Sequence, residues 1–131
     1  MELKYQSQIE SIDNCPLDNL LGEKILFRCV ENPMTPKSFE PYAALNKAKF
    51  KDNCLAWGLS MFSDLKSAKE ILKNLSQNKK QKVNLSSIAY CKLTDNDGIK
   101  HNSKNRNHYT FYPKKDFDLI DKFAIVDENG K

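Results

Sequence analysis

Residues 59–93 read LSMFSDLKSAKEILKNLSQNKKQKVNLSSIAYCKL, and the change of period inside this stretch sets the fold class. Ser63 offers a capping hydroxyl, Asp64 suits the positive end of a helix dipole, and Lys73, Lys79 and Lys80 suit the other end. Leu65, Ala68, Ile71, Leu72 and Leu75 recur at helical spacing, so one apolar stripe docks on a sheet while Lys66, Lys69 and Lys73 face water. The helix is expected over residues 64–80. Residues 83–93 then read as a strand.

Working outward, KILFRCV (residues 24–30) alternates Ile25, Phe27 and Cys29 against Leu26, Arg28 and Val30, which is a largely buried strand. Pro33, Pro36 and Pro41 follow, removing backbone donors and favouring extended neighbours, so a long ordered loop is expected. A short helix over residues 43–50 and a short strand or bend over residues 55–62, with its Gly58, lead into the main helix. Downstream, TDNDGIKHNSKNRN reads as turn throughout, HYTFYP (residues 108–113) as a strand, and DFDLIDKFAIV as a helical turn and a last strand. The order specifies an α+β domain: a mostly antiparallel sheet with one main amphipathic helix packed on one face. With no repeat and no linker, residues 1–131 form a single domain whose first 23 residues are expected to be irregular.

Composition agrees with one folded unit, since 40% apolar and 10% aromatic residues can supply a core. No apolar run is long enough to cross a bilayer, and the first residues lack a basic start followed by an apolar region, so a cytoplasmic address is expected. Cys15, Cys29, Cys54 and Cys91 are 14, 25 and 37 positions apart, which leaves no C-x-x-C pair for zinc or thiol exchange. They are expected to be free thiols in a reducing compartment. Neither a metal nor a cofactor is expected.

Charge lies in blocks. Residues 1–63 are net −1, residues 64–115 net +8 and residues 116–131 net −3. The basic block suggests contact with an acidic partner, nucleic acid or protein, through Lys79, Lys80, Lys104, Arg106 and Tyr109. A solvated helix face with a lysine-rich loop is the plain alternative. On this basis the chain is expected to be a small binding protein, an accessory or conflict-system component.

Three residues are the candidates for chemistry. His108, beside the basic loop, has the residue type of a general base for a metal-independent ribonuclease; the competing role is an ordinary strand-edge histidine. Arg28 is a guanidinium within an apolar strand and must meet an acceptor: a carboxylate such as Glu31 or Asp64, carbonyls of the proline-rich loop, or a bound phosphate. Ser60 precedes the main helix, but no glycine-rich phosphate loop accompanies it. The expectation is that Arg28 and His108 converge across one sheet beside a positive rim.

Arg28-Cys29-Val30, Phe39-Glu40-Pro41, Leu59-Ser60-Met61-Phe62 followed by Ala68, and Asn107-His108-Tyr109 resemble a group of small uncharacterised bacterial proteins. That resemblance covers about residues 24–115 and implies only that Arg28, the proline-rich loop, Ser60 and His108 belong together; Tyr109 departs from the small residue usual there. An Arg-bearing first strand followed by a Ser-bearing strand also resembles ADP-ribosyltransferases, whose pattern ends in a Glu on a late strand. Glu128 is the one late Glu, and it stands in the terminal DENGK.

Overall fold

The computed structural model describes residues 1–45, 47–76, 85–103 and 107–126. Six strands form one antiparallel sheet: β1 (Lys24–Val30), β2 (Leu59–Phe62), β3 (Ser87–Leu93), β4 (Gly98–Asn102), β5 (His108–Pro113) and β6 (Ala124–Ile125). They lie in the order β4-β5-β2-β1-β3-β6. The helices are α1 (Gln6–Glu10), α2 (Tyr42–Leu45), α3 (Lys47–Phe50), α4 (Leu65–Ser76) and α5 (Leu119–Lys122). The α+β expectation is met.

Alternation along the strands sorts the core into two faces. Leu26, Val30, Leu59, Met61, Ala89, Cys91, Leu93, Tyr109 and Phe111 share the first face, closed by Phe39, Phe117, Leu119 and Phe123 from the loops and α5. The opposite face carries two separate coverings. At one, α4 lays Ala68, with Leu65, Ile71 and Leu72, on Phe27, Phe62 and Ile88. At the other, Leu3, Ile9, Ala43 and Trp57 surround Tyr112. The apolar stripe read from Leu65 to Leu75 is therefore the docking face of α4, and the described helix ends at Ser76.

Two expectations change. Residues 94–107 are not turn throughout, because β4 pairs with β5 from Gly98↔Pro113 to Asn102↔Tyr109. Its inward residue is Lys100, fully buried, whose ammonium meets Asp95 at 2.8 Å, so a charge at a core position hid the alternation. Within the first 23 residues α1 forms, Leu3 bridges Lys114, and Ile9 is buried. Two apolar side chains six positions apart give no period, and tertiary contacts hold the segment instead. Finally, Cys15 and Cys54 are disulfide-bonded, with Cα atoms 5.7 Å apart, and only Cys29 and Cys91 are free.

Pairing of β1 with β2 is confined to Phe27↔Phe62, whereas β1 pairs β3 along its whole length, Lys24↔Leu93 to Val30↔Ser87. The sheet is thus weakly stitched between its two halves. Among the described residues no helix is long and apolar enough to cross a membrane.

Candidate functional site

Arg28 and Ser60 flank the weakly paired seam between β1 and β2, and His108 stands one strand further on, on β5. Arg28 donates from Nε to the Ser38 carbonyl at 2.9 Å and from Nη1 to the Ser60 carbonyl at 2.9 Å. Ser38 lies in the 3-10 turn Pro36–Phe39, so one guanidinium joins β1 to the proline-rich loop and to β2. Where backbone pairing is missing, this side chain supplies the hydrogen bonds. Burial lowers the Arg28 pKa to about 10, opposed by Cys29 and Tyr42, so the group remains a cation at neutral pH. Of the acceptors considered from the sequence, the geometry selects main-chain carbonyls, one of them in the proline-rich loop.

Ser60 and His108 come together through the β2–β5 register. Ser60 opposes Thr110 and Phe62 opposes His108, which sets Ser60 and His108 diagonally on one face. Ser60 Oγ lies 2.7 Å from His108 Nε2. The other ring nitrogen, Nδ1, lies 2.7 Å from Ser103 Oγ, just beyond β4. The Phe62 ring meets the imidazole edge-on at 5.4 Å between centroids. Ser60 is exposed and His108 half-buried, so the hydroxyl is open to solvent while the ring is held. Burial lowers the His108 pKa below its ordinary 6.5, and nearby His101 adds to the shift. His101 itself donates from Nδ1 to the Asp18 carbonyl at 3.0 Å.

Convergence is thus partial. Strand alternation puts Arg28 on the face of Leu26 and Val30, while Ser60 and His108 share the face of Phe62. Arg28 touches Ser60 through its carbonyl, not its hydroxyl. A line of hydrogen bonds nevertheless crosses three neighbouring strands: Arg28 on β1, Ser60 on β2 and His108 on β5. Ser103 was missed because a serine within NSKNRN reads as ordinary loop; its five-residue spacing from His108 was the only signal.

Of the basic contact residues, Lys79, Lys80, Lys104 and Arg106 lie outside the described residues, as does Glu128. Tyr109 is 3% exposed and packs in the first-face core, with Lys24 Nζ 5.9 Å from its ring centroid. It is a core aromatic rather than a surface contact. On α4, Leu65, Lys66, Lys69, Glu70 and Lys73 line an open depression of about 500 Å³. Among the described residues no group of three His, Cys, Asp or Glu side chains is placed to hold a metal ion. No family model, no curated protein and no solved structure matches this chain.

Proposed function

We propose that the chain is a group-transfer enzyme resembling ADP-ribosyltransferases, with Ser60 and His108 as its reacting pair and Arg28 as the residue that holds Ser60 in place. The observation that carries this reading is the hydrogen-bonded line Arg28, Ser60, His108 across adjacent strands β1, β2 and β5. An Arg strand, then a Ser strand, then a late strand is the order of the resemblance. The departure is that His108, not a Glu, stands on the late strand. An imidazole cannot stabilise a developing ribosyl cation as a carboxylate does, so the role left to it is that of a base. Ser60 Oγ takes the proton of the acceptor group as its own proton passes to His108 Nε2, while that group bonds to the anomeric carbon and nicotinamide leaves. The depressed pKa of His108 supports that role, since the ring stays neutral at pH 7.

The basic block of residues 64–115 is then the attraction for an acidic acceptor. The Cys15–Cys54 bridge weighs against the cytoplasmic address, because such bridges persist in oxidising compartments.

The test is nicotinamide release from nicotinamide adenine dinucleotide by the purified oxidised chain, with RNA and with protein added as acceptors in separate arms. Ser60→Ala and His108→Ala are expected to lower the rate by about 10²- to 10⁴-fold. Equal rates for wild type and both variants, or no release in any arm, overturns the reading.

A further inference from the structure

The contacts of Ser103 decide which nitrogen of His108 carries the proton. A carbonyl oxygen only accepts, so the 2.9 Å contact between Ser103 Oγ and the His108 carbonyl is donated by the serine hydroxyl. That hydroxyl has one proton, and it is thereby used. Its lone pairs are what remain for His108 Nδ1 at 2.7 Å, so Nδ1 bears the hydrogen and donates. A neutral imidazole protonated at Nδ1 is bare at Nε2. Nε2 therefore accepts from the Ser60 hydroxyl at 2.7 Å, and the oxygen lone pairs of exposed Ser60 face outward.

Ser103 is itself fixed by its surroundings. Its N–H donates to the His108 carbonyl at 3.1 Å, and Asn102 Nδ2 reaches the same oxygen at 3.4 Å, so the end of β4 is clasped to the start of β5. Without a partner at Nδ1, an imidazole exchanges between tautomers, and in the other one Nε2–H would point at Ser60 as a donor.

We propose that Ser103 is a positioning residue that locks His108 in the tautomer protonated at Nδ1, keeping Nε2 permanently available as the acceptor facing Ser60. This deepens the enzymatic reading and rests on it for its consequence in catalysis. The orienting group is a neutral hydroxyl, so it directs the ring without adding a counter-charge that would raise its basicity.

The test is long-range ¹H–¹⁵N correlation of the histidine rings in the oxidised full-length chain at pH 7.5. Wild type and Ser103→Thr are expected to show a protonated Nδ1 and a bare Nε2 at His108; Ser103→Ala is expected to show a mixture. Retained dispersion of the Tyr109 and Phe111 ring signals checks folding in each variant. In the nicotinamide-release assay, Ser103→Ala is expected to lower kcat about 10-fold with KM unchanged, and Ser103→Thr to restore it. A protonated Nε2 in wild type, or a tautomer unmoved by Ser103→Ala, overturns the proposal. Absence of release by wild type overturns the enzymatic reading alone, since the ring spectra still decide what Ser103 does.

Discussion

His108 takes its properties from what surrounds it. Burial lowers its pKa from 6.5, with His101 adding to the shift, so over the window below pH 6.5 the unfolded chain binds a proton that the folded chain resists. The contribution to stability is present above pH 6.5 and is lost as pH falls through the lowered folded value. The expected outcome is that wild type loses more unfolding free energy than His108→Gln between pH 7 and pH 5, as followed by urea denaturation at each pH. Parallel curves for the two proteins would show that the ring is not held as described. Arg28 makes the complementary point. Its presence in KILFRCV announced a need for acceptors, but which atoms answer that need depends on the path of the proline-rich loop, which no local rule supplies.

Among the elements, β2 stands between the two sheet halves and carries Ser60. Gly58 at its entry has φ −103°, a value open to any residue, so backbone strain is not the reason for glycine there. Space is: a Cβ would strike Thr110 Cγ2 and come within 3.1 Å of Tyr112 Cε1. Both obstacles belong to short or buried side chains with nowhere to move. Gly58→Ala is expected to cost about 1–3 kcal/mol, read as a lower urea midpoint at unchanged slope, and Thr110→Ser is expected to recover part of that loss. β1, α4 and β5 were legible because their apolar periods match the surfaces they cover. β4 was not, since its core position holds Lys100, satisfied by Asp95, and the surrounding TDNDG and NSKNRN segments look like turn.

Across the whole molecule, the Cys15–Cys54 bridge ties the N-terminal segment to the turn preceding β2, closing a loop of sequence separation 39. Chain-entropy arguments give such a loop a stabilisation of about 4 kcal/mol. Reduction, or the pair Cys15→Ser and Cys54→Ser, is expected to lower the unfolding free energy by roughly 2–4 kcal/mol, measured by denaturant titration with and without reductant. The same bridge lies beside Tyr112, whose hydroxyl donates to the Cys54 carbonyl at 3.1 Å, so the fluorescence of nearby Trp57 is expected to report its opening.

Sequence alone determined what depends on near neighbours: the strand alternation of residues 24–30 and 108–113, the amphipathic stripe from Leu65 to Leu75, the charge blocks, and the need of Arg28 for acceptors. Tertiary structure decided everything that joins distant positions. The β2–β5 register brings Ser60 to His108 across 48 residues, and the approach of Cys15 to Cys54 turns two thiols into a bridge. Packing of the first residues on Tyr112 orders a segment with no period of its own. The physical reason is one of range. Periodicity records which side of an element is buried, whereas a hydrogen bond between remote side chains exists only when pairing and loop closure set both within about 3 Å of each other.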